Sequence, residues 1–215
     1  MMLKLRVDNQ DIETKEGKTL LQACLDNGIY IPNLCYLEDM ESPSASCRMC
    51  FVEIEGIGQP VPSCTVQARD DMVVKTDTPA VRKLQRTALR LLLSVHDVDC
   101  KNCHANKKCE LQNIAKFLKV GLKPKGLERY LKETQIDETH PFLIHYPNRC
   151  VLCGKCVHIC RGKHGRSILT FAKRGFDTVI TTYRATDVSA LTCSNRDTCV
   201  EACPVGALAL KESSQ

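Results

Sequence analysis

The chain has 215 residues, with 15 Cys, five Phe, five Tyr and no Trp. So few aromatic side chains exclude a large aromatic core, and bound metal is expected to support folding because its binding free energy becomes folding free energy. The net charge of +5 does not indicate nucleic-acid binding, since Lys and Arg are spread along the chain. No apolar signal segment opens the chain, which predicts a cytoplasmic protein with reduced thiols. No run approaches the roughly 18 apolar residues of a membrane span, so no direct membrane insertion is expected.

Residues 1–78 are expected to form a small mixed domain. Apolar and charged residues alternate over 3–7, which predicts a half-buried strand. Thr19 and Gly28 are typical of the first and last positions around a short helix, and Cys24 on that helix is interpreted as a small buried apolar residue. Two more strands are expected at 51–54 and 72–74. A few strands around one helix favour an α+β fold of the ferredoxin-like β-grasp type.

Residues 79–120 are expected to form a small helical domain. Thr78 and Pro79 are suited to the start of a helix. Apolar residues then recur at helical spacing from Val81 through Leu91 to Val95, which predicts one apolar face. A second short helix is expected at 109–119.

Residues 121–140 are charged, contain Pro and Gly, and are interpreted as a linker. The last predicted domain covers 141–215. It holds two Cys-dense runs that are loosely similar, as in an internal repeat. The insert between them, 161–192, contains a predicted strand at 178–181.

The first cysteine group has the spacing Cys35-x11-Cys47-x2-Cys50-x13-Cys64. Four thiolates with a central C-x2-C can hold a [2Fe–2S] cluster, in which each iron takes two thiolates. Small residues at 44–46 would let the loop approach the sulfides. The spacing departs from the plant-type ferredoxin pattern, which has four residues where this chain has eleven. A four-thiolate zinc site is the alternative.

The second group is His96-x3-Cys100-x2-Cys103-x5-Cys109. Three thiolates and one imidazole are suited either to a [4Fe–4S] cluster or to a single zinc ion. His104 lies between two of these cysteines and competes with His96 as the nitrogen ligand.

The third group follows the bacterial ferredoxin pattern, in which three closely spaced thiolates hold one [4Fe–4S] cluster and a remote Cys before Pro completes it. The sequence supplies that remote position at Cys203-Pro204. Zinc does not explain this spacing. The expected ligands are Cys150, Cys153, Cys156 and Cys203.

A fourth site is incomplete. Cys160, Cys193 and Cys199 are left over, and Arg196 stands where a matching second run would have Cys. Three outcomes remain open: a [4Fe–4S] cluster with a non-Cys ligand such as Asp197, a three-iron [3Fe–4S] cluster, or a lost site.

The order of the three complete groups resembles the N-terminal region of the large Fe–S subunit of respiratory NADH dehydrogenase and of [FeFe] hydrogenases. In length the chain is most similar to the small Fe–S diaphorase subunit of NAD-linked hydrogenases. This resemblance covers essentially the whole chain. It implies one [2Fe–2S] cluster on the first group and [4Fe–4S] clusters on the second and third, with His96 as the imidazole ligand. Some relatives carry a further complete cluster, a pattern that Arg196 breaks.

The resemblance also implies partners: an FMN- and NAD(P)-binding flavoprotein subunit, and a catalytic subunit of hydrogenase or formate dehydrogenase type. Ferredoxin is a further candidate partner, and electron bifurcation stays open. The sequence has no G-x-G-x-x-G after a strand and no P-loop. We therefore expect a non-catalytic electron-transfer subunit that carries no substrate site. A free-standing multi-cluster ferredoxin and a zinc-stapled binding module are the alternatives.

Overall fold

The structure is a computed structural model that describes residues 1–164, 168–182 and 198–211. The chain divides into two compact units. The first unit holds residues 1–91 and 116–120, and the second holds 92–115 and the residues from 121 onward.

A five-stranded sheet organises the first unit. Its strands are β1 Met2–Val7, β2 Gln10–Lys15, β3 Phe51–Ile54, β4 Val61–Pro62 and β5 Val73–Lys75. They are arranged in the order β2-β1-β5-β3-β4. Strands β1 and β5 run parallel, and the other neighbours are antiparallel. The strands expected at 3–7 and 51–54 are confirmed, and the one expected at 72–74 is shifted by one residue. Helix α1, Leu20–Asp26, lies between β2 and β3 along the chain.

The core of this unit lies between one face of the sheet and α1. Alternate residues of β1 are buried, as the period-two pattern predicts, and they share a cluster with Leu20 and Leu21. The Thr19 hydroxyl accepts a hydrogen bond from the Gln22 amide at 3.2 Å, and Gly28 has φ +75° just after the helix. Both capping positions are therefore confirmed. Cys24 is fully buried in the same cluster.

Two longer helices follow: α2 Pro79–Ser94 and α3 Glu110–Phe117. The Thr78 hydroxyl accepts the Val81 amide at 3.1 Å, which fixes the start of α2. The predicted apolar face of α2 is partly wrong, because Leu91 is 65% exposed. The buried stripe runs through Leu89 and Leu93 instead.

The second unit contains two small antiparallel sheets. One pairs β6 Leu143–His145 with β9 Leu208–Leu210, and the other pairs β7 Leu169–Ala172 with β8 Val179–Thr182. The strand expected at 178–181 is confirmed one residue later, whereas the other three strands were not predicted. Residues 121–140, all described, contain no helix or strand, and Asp137 forms an isolated bridge with His145. Helices α4 Lys155–His164 and α5 Thr198–Glu201 belong to the same unit.

Cysteines make up much of the core of this unit. Cys156, Cys160 and Cys199 are buried in one cluster with Leu143 and Leu208. None of the cysteines in the described ranges forms a disulfide. No helix in these ranges is long and apolar enough to cross a bilayer.

Candidate metal centres

The first cysteine group is gathered in a loop region of the first unit, and all four side chains are buried. The sulfurs of Cys35 and Cys47 lie 3.5 Å apart. Cys50 and Cys64 form a second hydrogen-bonded pair. Two pairs of thiols match the two-plus-two ligand set that a [2Fe–2S] cluster requires.

Each of these pairs contains one cysteine that favours the thiolate. The pKa of Cys35 is lowered to about 5, chiefly by a hydrogen bond from the Cys47 thiol. The Cys47 amide and the hydroxyls of Ser44 and Ser46 lower it further, whereas burial opposes the shift. The hydrogen bond from Cys64 lowers the pKa of Cys50 in the same way. The partner thiols, Cys47 and Cys64, have raised pKa values because they donate to these thiolates. Backbone and hydroxyl donors around the sulfurs are the kind of second shell that stabilises bound thiolates.

The loop that carries this group has an unusual backbone. Ala45 has φ +49° and Arg48 has φ +53°, both in the left-handed region that side chains rarely adopt. Cys47 lies between them. Such conformations cost energy and concentrate where a loop must wrap a ligand, so the loop geometry fits the expected cluster.

The second group surrounds a recess in the second unit. The recess is lined by all four residues of the group, His96, Cys100, Cys103 and Cys109. A short 3-10 turn, Cys100–Asn102, positions the first two sulfurs, and Cys109 directly precedes α3. The structure thus brings all four predicted ligands of this group together.

The two candidate histidines have different partners. The His96 ring is hydrogen-bonded to the backbone of Arg149, while its Nδ1 is buried without a partner. Burial lowers the pKa of His96 to about 4, which keeps the ring neutral. A neutral imidazole with one nitrogen on a backbone group and the other available is the usual arrangement of a metal ligand. His104 places its Nε2 2.9 Å from the carbonyl oxygen of Leu208. The geometry therefore favours His96 over His104.

The third group joins a tight loop, α4 and the segment before β9. Cys153 and Cys156 are buried, and Cys150 and Cys203 are half-buried. Leu152 at φ +53° and Gly154 at φ +76° give the loop its wrapping shape. Burial raises the pKa of Cys156. The sulfurs of Cys150, Cys153 and Cys203 are close enough for their negative charge to raise it further.

Backbone amides and lysines offset the burial of these thiols. Burial raises the pKa of Cys150 to about 12, whereas the Leu152 amide and the charge of Lys132 act in the opposite direction. Burial also raises the pKa of Cys203, against three backbone amides and the charge of Lys155. Positive charge and N–H donors beside buried sulfurs suit a bound anionic cluster.

The incomplete fourth group is described only in part. Cys160 and Cys199 are buried in the same cluster of the second unit. Cys193, Arg196 and Asp197 lie outside the described residues, so occupancy of this site stays a prediction.

In the described parts of the chain, no three or more His, Cys, Asp or Glu side chains lie close enough together to hold a single metal ion. A cluster has a different requirement, because each iron atom of the core takes its own ligands. The orphaned Nδ1 of His96 and the paired thiols of the first group fit such cores.

Loops of the second and third groups contact each other within the second unit. The Glu110 amide, next to Cys109, donates to the carbonyl of Pro204 at 2.9 Å. A Cβ added to Gly206 would collide with the sulfur of Cys103. Sequence reasoning missed these contacts because they join residues about 100 positions apart.

Comparison with known proteins gives three family matches in order along the chain. A 2Fe-2S iron-sulfur cluster binding domain matches residues 1–79. An NADH-ubiquinone oxidoreductase-G iron-sulfur binding region matches 85–122. The ferredoxin-like domain of NADH-quinone oxidoreductase subunit 3 matches 140–209. In sequence, the chain is therefore similar to the iron–sulfur subunits of NADH-quinone oxidoreductases.

Similar proteins include the second G-type subunit of NADH-quinone oxidoreductase from Rhizobium meliloti, 37% identical over 96% of this chain and 24% of its own length. The NADP-reducing hydrogenase subunit HndD of Solidesulfovibrio fructosivorans is 34% identical over 96% of this chain and 36% of its own length. The chain thus spans about a quarter to a third of these relatives.

Among solved structures, a chain of an NAD+-reducing [NiFe]-hydrogenase in the H2-reduced state matches with a TM-score of 0.85 and 29% identity. The match covers 98% of this chain and 88% of that one. The resemblance to iron–sulfur subunits of NADH dehydrogenases and NAD(P)-linked hydrogenases is therefore confirmed.

Proposed function

We propose that this iron–sulfur protein binds one [2Fe–2S] and two [4Fe–4S] clusters and relays electrons within an NAD(P)-linked oxidoreductase complex. The observation that carries the proposal is the buried, unpartnered Nδ1 of His96 in a recess shared with three cysteines. When bound, the clusters would supply one-electron redox chemistry. The chain's own residues hold, orient and shield them.

Cys35, Cys47, Cys50 and Cys64 are the proposed [2Fe–2S] ligands. Their arrangement as two pairs supports this assignment, since the 3.5 Å sulfur separation of one pair places two thiols where one iron could take both. Complete burial of the four side chains keeps water from the site.

His96, Cys100, Cys103 and Cys109 are the proposed ligands of one [4Fe–4S] cluster. A neutral imidazole in place of a thiolate leaves this site one negative charge less anionic. On charge alone, its reduction should be easier than at an otherwise equal all-cysteine site.

Cys150, Cys153, Cys156 and Cys203 are the proposed ligands of the other [4Fe–4S] cluster. Lys132 and Lys155 lie close enough to act on the pKa values of two of them, and so favour the anionic state of the site. A fourth cluster at Cys160, Cys193 and Cys199 remains a further prediction.

The proposed partners are a flavoprotein subunit that binds FMN and NAD(P) and a catalytic subunit of hydrogenase or formate dehydrogenase type. The named relatives support this class, because they are subunits of an NADH-quinone oxidoreductase and of an NADP-reducing hydrogenase. Electron relay requires no general base or nucleophile from this chain, so we propose a non-catalytic role.

Anaerobic co-expression with the FMN- and NAD(P)-binding flavoprotein subunit of an NAD(P)-linked oxidoreductase tests the proposal. A stable complex in which NAD(P)H bleaches the iron–sulfur absorption of this chain is expected. If the cluster-loaded chain instead purifies as a monomer without the flavoprotein subunit, the result would support a free multi-cluster ferredoxin. A colourless zinc-loaded chain would contradict both.

A further inference from the structure

Two loops of the second unit meet in what we call the seam: residues 103–110 from the second ligand group and 203–208 from the third. Three contacts hold it together. The Glu110 amide donates to the Pro204 carbonyl at 2.9 Å, and His104 Nε2 lies 2.9 Å from the Leu208 carbonyl. Gly206 packs against the loop at 103–105.

The first of these contacts joins two residues that each directly follow a proposed cluster ligand. Glu110 is bonded to Cys109 along the chain, and Pro204 is bonded to Cys203. The two ligand residues are therefore connected by two peptide bonds and one hydrogen bond. A second link between the groups, from the Asp97 amide to the Asn148 carbonyl at 2.6 Å, is longer because Asn148 lies two positions before Cys150.

Gly206 lets the two loops approach each other. A Cβ at this position would collide with the sulfur of Cys103 and meet the Cβ of Ala105 at 3.2 Å. Glycine is thus required by space and not by backbone angle, since Gly206 is absent from the residues with positive φ. The loop at 203–208 lies directly against a ligand sulfur of the other group.

His104 fixes the far end of the seam. A carbonyl oxygen only accepts hydrogen bonds, so Nε2 of His104 carries the proton that it donates to Leu208. The same ring lies 6.0 Å from Tyr146, centroid to centroid. This contact gives His104 a structural partner that does not involve metal.

We propose that the seam couples the two [4Fe–4S] sites, with the Glu110–Pro204 hydrogen bond as the shortest link between their ligands and His104 as a positioning residue. This inference rests on the proposed function. Coupling here means the passage of one electron from one reduced site to its oxidised neighbour, with no bond broken and no proton moved. The seam fixes the separation on which that passage depends.

A matched pair of substitutions at Glu110 tests the link. Glu110 is the first residue of α3, where Pro is tolerated because this amide has no partner within the helix. Glu110→Pro removes the N–H donor, whereas Glu110→Ala keeps it and removes only the side chain. The full-length chain is purified anaerobically, reduced, and examined by EPR for the magnetic interaction between the two [4Fe–4S] clusters.

We expect wild type and Glu110→Ala to show the same interaction, and Glu110→Pro to show a weaker one at unchanged iron content, because the loops separate slightly while the other two contacts of the seam remain. Equal interaction in all three proteins would overturn the proposal, as would its absence from a fully loaded wild type. A wild type without iron and sulfide would instead contradict the proposed function itself.

A second pair of variants, at His104, keeps the proposal testable if the Glu110→Pro protein fails to load iron. His104→Ala removes the donor to Leu208, and His104→Gln keeps an N–H donor on a side chain of similar reach. The expected result is a weakened interaction in His104→Ala that His104→Gln restores, with iron content unchanged in both. Two His104 variants indistinguishable from wild type would overturn the positioning role.

Discussion

The ring of Phe171 lies across Gly154: a Cβ added to this glycine would meet Phe171 Cζ at 3.4 Å. Gly154 is in the tight loop between Cys153 and Cys156, and its φ of +76° already disfavours any side chain. The tip of the Phe171 ring on β7, a side chain that is 46% exposed, therefore lies against the loop that holds three proposed cluster ligands.

Removing this ring should change the potential of the C-terminal [4Fe–4S] cluster. In Phe171→Ala, water reaches the loop and stabilises the more negatively charged reduced state, so the potential should rise by on the order of tens of millivolts. An EPR-monitored redox titration of the anaerobic chain measures the shift.

Phe176→Ala is the matched control. Phe176 is 70% exposed, and its ring stacks on that of Tyr130 with the ring centroids 5.5 Å apart. It should leave the potential unchanged, and equal shifts in the two variants would show that Phe171 has no special shielding role.

The identity of the imidazole ligand is open to direct test. His96→Ala should reduce the iron content from about ten to about six atoms per chain, because one four-iron cluster loses a ligand. His104→Ala should keep all of them, since His104 bonds to Leu208. Iron assay with EPR distinguishes the two variants, and the opposite pattern would transfer the ligand role to His104.

His96→Cys gives the complementary result. This substitution restores four thiolates and adds one negative charge, so the cluster should form but at a lower potential than in wild type. An unchanged potential would show that the charge argument is wrong.

Local patterns in the sequence predicted much of the first unit. The alternation along β1 and the caps Thr19 and Gly28 depend on neighbours in the chain, so they can be recognised without a structure. The two-residue strand β4 contains Pro62 and has no period to detect. The apolar face of α2 was misplaced at Leu91, because spacing alone does not show which side of a helix is covered.

In the candidate sites, too, local features were predictable from the sequence and contacts between distant residues were not. The ligand spacings around Cys100 and Cys153 are local and were recognisable from sequence. The partner of His104 is a carbonyl 104 positions away, and no sequence pattern indicates it. The requirement for Gly206 likewise depends on a sulfur of a distant loop.

Acid should destabilise the second unit through His140. Its Nδ1 accepts the amides of Phe142 and Leu143, both at 3.2 Å. Burial and then the charge of Lys211 lower the pKa of His140 to about 4, against the carboxylate of Asp137. The unfolded chain, with the ordinary value of 6.5, therefore binds more protons between pH 6.5 and 4. The stabilisation is complete above pH 6.5 and is lost as the pH falls, by at most about 1.4 kcal/mol per pH unit for one group.

His140→Asn separates this effect from other acid-labile groups. The Asn side-chain oxygen can accept the same amides but does not titrate. Unfolding temperatures measured from pH 7.5 down to 5 should fall less steeply in the variant than in wild type. Parallel curves would exclude His140 as a source of acid sensitivity.

Cys24 should be dispensable for iron binding. Its side chain is fully buried in the apolar core, and burial raises its pKa to about 12. Cys24→Ala is expected to keep about ten irons, at a stability cost on the order of 1 kcal/mol. Cys64→Ala, the matched loss of a proposed ligand, should remove about two irons. Loss of iron from the Cys24 variant alone would require a new assignment of the [2Fe–2S] ligands.

The metal content of the anaerobically purified chain tests the central claim most directly. Three clusters predict about ten irons and about ten acid-labile sulfides per chain, and an occupied fourth site raises the iron count to about thirteen or fourteen. Stoichiometric zinc with no labile sulfide would contradict the account.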